Sequence, residues 1–343
     1  MAPILRGGLI GCGFFAVNHL HAWREIEDVA IAALCDSDPA RLRAVGDAFG
    51  IAARYPDAAA MFAAERFDFV DIATTVASHR PLVELAARHR VPMICQKPFA
   101  ADLADAVAMA ETAEAAGVAL MVHENFRWQT PLRAVRETIE TGRIGTPFWG
   151  RISFRSAYDV FAGQPYLAQG ARFIIEDLGI HLLDLARFLF GEAAQVTART
   201  TRVNPAIRGE DVATILLGHE GGTTAIVDCS YASRLAREPF PETLLEIDGT
   251  AGTLRLAQDY RLTVVGAAGQ TTVTVAPDLR PWASWPWHNI QESVLNIQRH
   301  WVRCLRTHRA PETSGRDNLR TLALVHAAYD SAASGRTVIP PTV

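Results

Sequence analysis

The sequence predicts an α/β fold: a doubly wound parallel sheet in the N-terminal part, followed by an α+β domain with a large, mostly antiparallel open sheet. Three observations predict it. From residue 4 to about 122 short apolar β-like runs alternate with alanine-rich helical runs, the pattern of parallel strands covered on both faces. From "GRIGTPFWGRISFRS" onward, strands follow one another through Gly-Gly, Asp-Gly and Ala-Gly turns, as antiparallel sheets do. A chain of 343 residues is also too long for one ordinary core, so two domains are expected, divided as 1–123 and 124–343.

In the first domain the strand candidates are residues 9–10 with their upstream neighbours, 30–35, 69–74, 92–95 and 118–122. The helical runs between them are 18–27, 39–49, 80–89 and 103–116. In the second, alternating strands are expected over 148–156, 195–202, 212–217, 223–230, 243–247, 252–256, 261–265 and 271–275. One helix, 173–190, interrupts them early, and helices over 290–306 and 318–333 close the chain. No repeat and no low-complexity linker is visible.

Composition excludes some partners. The formal charge is -4 and the arginines are scattered among acids instead of forming a basic run, so nucleic-acid binding has little electrostatic support. Five cysteines, Cys12, Cys35, Cys95, Cys229 and Cys304, are far apart and lack C-x-x-C spacing, which fits thiols in a reducing cytoplasm. The N-terminus has no cleavage-site pattern and no run near 18 apolar residues, so neither export nor membrane insertion is expected.

The first strand ends in Gly11-Cys-Gly13-Phe-Phe-Ala16, a G-x-G-x-x-A turn. Gly11 would make the tight turn, Gly13 would let backbone amides approach a pyrophosphate, and Ala16 would allow close helix packing. The cofactor-binding set therefore includes Gly11, Gly13 and the intervening Phe14 and Phe15. The second strand, "VAIAALC", ends at Asp36, where an acid accepts from both hydroxyls of an adenosine ribose. No arginine follows until Arg41, so a 2′-phosphate would meet negative charge and NAD is favoured over NADP. Asp36 also fits as a turn or capping residue before Pro39.

Lys97, in "MICQKPFA", is the single lysine in the chain; the other 32 basic residues counted with it are arginine. A bias toward arginine explains the missing lysines but not the exception. An ammonium is a compact donor whose pKa moves with its surroundings, and Lys97 follows an expected parallel strand at the edge where open α/β sheets bind ligands. In "FIIEDLGIHLLDLARFLF", Asp177 and His181 stand four apart, on one face of a helix beside the apolar stripe Leu178, Leu182, Leu185 and Leu189. Such a polar pair is either a satisfied structural pair or an acid/base site, and with Lys97 present chemistry is favoured.

Together the glycine fingerprint, x-K-P after a strand and D-x-x-x-H in a helix resemble the glucose-fructose oxidoreductase/inositol dehydrogenase (Gfo/Idh/MocA) family, over essentially the whole chain. "GRIGTPFWGRISF" and "SGRDNLRTLALVHAAYDSAASGR" carry the resemblance into the second domain. The family pattern usually reads E-K-P, and Gln96 stands in place of the glutamate. The resemblance implies an N-terminal Rossmann domain and NAD-linked oxidation of a sugar or polyol hydroxyl to a lactone or keto-sugar. His181 would be general base, Lys97 would donate to the hydroxyl oxygen, and Asp177 would position substrate hydroxyls. "CQKPFA" and "HENFRWQ" resemble a branch acting on D-apiose; inositol, xylose and other aldoses stay open. A homodimer or homotetramer is also implied. A non-catalytic NAD(P)-binding regulator and an NAD-dependent glycosidase are the alternatives.

Further candidates follow from the same edge of the sheet. Thr74 and His79 in "ATTVASHR" loosely match a family cofactor loop, and Gln96 joins Lys97 in the cofactor-binding set. His123, Glu124, Asn125 and Arg127 in "VHENFRWQ" form a polar cluster, with Asn125 and Arg127 expected to contact substrate alongside Lys97, Asp177 and His181. His19 and His21 read as packing or surface residues of the first helix, and Asp184 as support for His181 or a surface turn cap. Trp282, Trp285 and Trp287 suggest a loop packed on the sheet or a subunit interface. No metal is expected, because D-x-x-x-H alone supplies only two ligands.

Overall fold

The structure is a computed structural model that describes residues 3–343. The chain forms two compact units. One is the chain up to Glu124, joined by Val294–Leu319 and Val343; the other is Asn125–Ser293 with Arg320–Thr342. The units are therefore not simply the front and back of the sequence, and a single cut near residue 123 takes no account of the segment 294–319.

The first unit holds a six-stranded, all-parallel sheet: β1 (Leu5–Ile10), β2 (Val29–Cys35), β3 (Ala53–Tyr55), β4 (Phe69–Ile72), β5 (Met93–Gln96) and β6 (Leu120–His123). Their order is β3-β2-β1-β4-β5-β6, with the chain reversing direction across the sheet between β1 and β4, where such sheets open a ligand crevice. The connecting helices are α1 (Ala16–Arg24), α2 (Pro39–Phe49), α3 (Ala58–Ala64), α4 (His79–Arg88) and α5 (Leu103–Ala115). Neither β3 nor α3 is among the expected elements: the three residues of β3 are too few to show a period, and the seven of α3 make only about two turns. The edge of β6 is covered from far along the chain. Val122 N–H donates to Thr313 O and Thr313 Oγ1 donates to Val122 O, each at 2.8 Å, and Met121 bridges Ser314. This pairing ties the late segment to the first unit, as do Gln298, which donates to His19 O, and Arg306, paired with Asp28.

In the second unit α6 (Thr130–Glu140) precedes β7 (Pro147–Arg155), α7 (Ile180–Phe190), β8 (Ala193–Thr201), β9 (Val212–His219), β10 (Thr224–Ser230), β11 (Leu244–Gly249), β12 (Gly252–Ala257), β13 (Arg261–Gly266) and β14 (Gly269–Thr274). The eight strands run β14-β13-β12-β11-β7-β10-β9-β8. Every neighbouring pair is antiparallel except β10 with β7. Along β7 the buried residues Gly150, Ile152 and Phe154 alternate with more exposed neighbours, as a one-faced core sheet requires. The closing helices are α8 (His288–Thr307) and α9 (Gly315–Ser334).

In the second unit two features depart from expectation. The helix α6 was not foreseen, although Pro131 at its first turn and buried Leu132 and Val135 at helical spacing mark it. The expected helix over 173–190 is a single turn of π-helix, Ile175–Gly179, leading into α7. Its start is anchored by Glu210, whose Oε1 accepts from Phe173 N–H at 3.2 Å and from the Tyr329 hydroxyl at 2.7 Å.

Among the described residues no helix is long and apolar enough to cross a membrane. All five cysteines are buried and free of disulfides. Burial pushes the Cys12 and Cys35 thiols up to about 12, so they behave as small apolar fillers.

Packing of α7 on the sheet depends on Gly150. A Cβ there would lie 2.4 Å from the Phe190 ring, closer than any real contact. Gly150→Ala is expected to destabilise the protein by about 1–3 kcal/mol, read as a lower urea midpoint; an unchanged midpoint would contradict this packing.

Candidate active site

In a parallel sheet every strand delivers its last residue to the same edge. Gly11 follows β1, Asp36 follows β2, Thr74 lies just past β4, Lys97 follows β5 and His123 ends β6. Topology alone thus gathers most of the expected cofactor residues on one rim.

At the first turn Gly11 has φ +97°, and a Cβ would come within 2.6 Å of the Ala73 carbonyl oxygen. Its N–H donates to Cys35 O at 2.7 Å. A Cβ on Gly13 would meet nothing within 4 Å, so backbone lies open where a phosphate would approach. Ala16 is buried, and Phe15 at the N-cap of α1 supplies no side-chain hydrogen bond to the helix amides. Open backbone at a helix N-terminus suits an anion, and this turn fits the pyrophosphate of a dinucleotide. Phe14 is exposed, while Phe15 packs edge-on against His19 and His123.

Asp36 is buried and holds the turn together. Its Oδ2 accepts from Cys12 N–H at 2.7 Å and its Oδ1 from Asp38 N–H at 2.8 Å. Each carboxylate oxygen has room for a second donor, so this role and ribose binding are compatible. Arg41 is nearer than the sequence suggests, 3.7 Å from Asp36 and 3.5 Å from Asp38. One guanidinium stands against two carboxylates.

The loop after β4 corrects one expectation. His79 is fully buried, with Nδ1 3.1 Å from Phe99 O and Nε2 3.2 Å from Thr74 O. Burial lowers its pKa below the usual imidazole value. A ring so enclosed does not reach a ribose; it ties the Thr74 loop to the segment after Lys97. The Thr74 hydroxyl accepts from Ser78 Oγ at 2.8 Å.

Lys97 is half-buried, and its backbone N–H donates to the Gln96 side-chain oxygen at 2.7 Å. Gln96 Nε2 lies 3.3 Å from His19 Nε2. His19 Nδ1 and Trp23 Nε1 both point at Asp71 Oδ2, each at 2.8 Å. His19 and Asp71 are fully buried, and His19 stacks on His123 with centroids 4.2 Å apart. His19 is thus no surface residue of its helix, and neither it nor Asp71 was selected from the sequence. Asp71 had a signal: a carboxylate inside the buried run "FVDI" demands a partner.

In the second unit His181 is buried and lies flat against Phe126, with centroids 4.0 Å apart and planes at 4°. Arg127 grips Asp184 through two bonds, Nε at 2.5 Å and Nη2 at 2.7 Å. The Thr321 hydroxyl donates to Asp184 at 2.8 Å. Asp184 is fully buried, which rules out a surface turn cap, and the bidentate pair makes Arg127 a clamp between the segment after Asn125 and α7. Asn125 donates to Ser293 Oγ at 2.6 Å. These bonds give Asn125 and Arg127 protein partners within the second unit. Asp177 lies within the π turn, partly exposed. Burial, with the Asp177 charge next, raises the Tyr231 hydroxyl pKa well above its usual value, placing a phenol near Asp177 that the sequence did not single out. Trp287 donates to the Tyr158 hydroxyl at 3.1 Å, while Trp285 is exposed.

The family described as "Oxidoreductase family, NAD-binding Rossmann fold" matches residues 5–124, and "GFO/IDH/MocA C-terminal domain" matches 132–255. A D-apiose dehydrogenase of Rhizobium rhizogenes is 66% identical over 97% of both chains. One from Paraburkholderia graminis is 65% identical over 97% of this chain and 89% of its own. The crystal structure of an oxidoreductase from Agrobacterium radiobacter in complex with NAD+, L-tartaric acid and magnesium superposes with a TM-score of 0.97 at 65% identity, covering 98% of each chain. An open glycine turn, an acid at the end of β2 and a lysine after β5, in a chain matched along both of its parts, identify this protein as a member of the GFO/IDH/MocA oxidoreductase family.

Proposed function

We propose that this protein is an NAD-dependent dehydrogenase that oxidises a hydroxyl of D-apiose. The observation that carries the reading is the 65–66% identity to two D-apiose dehydrogenases over nearly the full chain, joined to a single lysine that follows β5. With its pyrophosphate held at the turn over 11–16, NAD would supply the oxidised nicotinamide as hydride acceptor. The residues of the chain do the rest. Lys97 donates to the substrate hydroxyl oxygen and stabilises negative charge as it develops there. His181 takes the hydroxyl proton as the hydride departs from the same carbon, leaving a lactone or keto-sugar. Asp177 orients neighbouring hydroxyls. Asn125 and Arg127 act on this chemistry through Ser293 and Asp184.

Asp36 binds the adenosine ribose, and its charge, with that of Asp38, disfavours a 2′-phosphate. The protein works as a homodimer or homotetramer in the cytoplasm. Exposed Phe148, Leu216, Val265 and Val273 on four strands of the second sheet support association, and five buried free thiols support a reducing compartment. Light scattering is expected to give at least twice the monomer mass of 37.4 kDa; a monomer would refute the oligomer.

NADH absorbance with a panel of free sugars and glycosides tests the activity directly. D-apiose with NAD is expected to outrun inositol and xylose, and absence of NADH from D-apiose would overturn the substrate assignment. Lys97→Ala and His181→Ala are expected to lower kcat about 100-fold or more while NAD still binds. Lys97→Arg, which keeps charge but not shape, is expected to stay close to Lys97→Ala. Asp36→Asn keeps an acceptor for the Cys12 amide but loses charge, and is expected to narrow the NAD-over-NADP preference about tenfold in kcat/KM.

A further inference from the structure

We infer that Asp71, His19 and Gln96 form a positioning relay for Lys97, in which an amide at position 96 is matched to a neutral His19 imidazole. The inference rests on Lys97 acting as the donor proposed above. At the end of β5 the Lys97 N–H passes beyond the strand, and the Gln96 Oε1 accepts from it at 2.7 Å. The Gln96 NH2 group is then the part that meets His19 Nε2, at 3.3 Å. The other ring nitrogen, Nδ1, lies 2.8 Å from Asp71 Oδ2, which also accepts from Trp23 Nε1–H at 2.8 Å.

A carboxylate accepts and an amide NH2 donates, so one proton arrangement satisfies every contact. His19 keeps its proton on Nδ1, donates it in a hydrogen bond to Asp71, and accepts from Gln96 at the Nε2 lone pair. The side chains of Asp71, His19, Trp23 and Gln96 are all buried, Gln96 the least so at 9% exposure, so a mismatched pair would find no water to relieve it. Around the His19 ring, the titratable contacts are Asp71 and the stacked His123. The Cys95 thiol feels the Asp71 charge, and the Gln298 amide donates to the His19 carbonyl, not to the ring.

A glutamate at position 96 would set a carboxylate oxygen against the Nε2 lone pair. Contact would be restored by one added proton between the carboxylate and Nε2, and an imidazole flanked by two carboxylates is the group that holds it. The amide therefore frees the backbone of Lys97 from the protonation of His19.

Nitrogen NMR of the His19 ring, with His19→Gln to identify its signals, and the pH dependence of kcat test the relay. In the wild type His19 is expected to be protonated on Nδ1 alone near neutral pH, and in Gln96→Glu on both nitrogens. The kcat of Gln96→Glu relative to wild type is expected to fall about tenfold or more from about pH 6 to 9. His19→Ala is expected to lower kcat by up to about 100-fold, as misplacement of a reacting group does, with little change in KM for NAD. His19→Gln, which keeps one donor and one acceptor, is expected to recover most of it. A wild-type His19 protonated on Nε2, or a pH-independent ratio of the two kcat values, would overturn the relay. The NMR result needs no substrate, so inactivity of the wild type toward D-apiose would overturn the functional reading without touching this one, and His19→Ala identifies the His19 signals if His19→Gln does not fold.

Discussion

A carboxylate buried in the middle of a parallel sheet governs the geometry of the first unit. Asp71 occupies the third position of β4, between apolar neighbours and away from water. Burying a charge is costly unless donors converge on it. Here two do, from His19 and Trp23 on the same helix, so the charge fixes how α1 sits on the sheet. Because α1 begins immediately after the glycine turn, the same contact sets the direction of its N-terminal amides. Through Gln96 it also reaches the peptide of Lys97. Dinucleotide turn and lysine are thus held by one buried ion.

The second unit uses the same device differently. Asp184, on α7 one turn beyond His181, is buried and held by the Arg127 fork and by Thr321. Truncating one partner of such a pair costs about 3–5 kcal/mol because the other charge stays buried. The pair fixes α7 against the short segment that carries Phe126, whose ring covers one face of His181. The π turn just before α7 shifts the helix register where Asp177 sits, a distortion frequent at functional positions.

The arrangement of the two sheets was legible because it is written in hydrophobic period and turn chemistry. Residues 39–49 form a helix at the expected bounds because Pro39 and the Asp38 cap specify them locally. The rim residues Gly11, Asp36 and Lys97 were legible because they follow strands. What stayed hidden depends on the third dimension. His79 matches a loop pattern yet points inward. Arg127 looks like an open donor until Asp184, 57 residues away, is seen beside it. The π turn leaves no mark in a helical pattern, since it changes hydrogen bonding without changing composition. The run "FVDI" marks Asp71 as needing a partner, but nothing local names His19, 52 residues away.

The bond between Thr313 and Val122 spans 191 residues, which orders events during synthesis. A ribosome that has released only the first 124 residues has made every strand of the nucleotide-binding sheet but not the cover of its last one. Until residue 313 emerges, β6 offers unpaired backbone to any neighbouring nascent chain. Completion of the first unit therefore waits for most of the second to be translated.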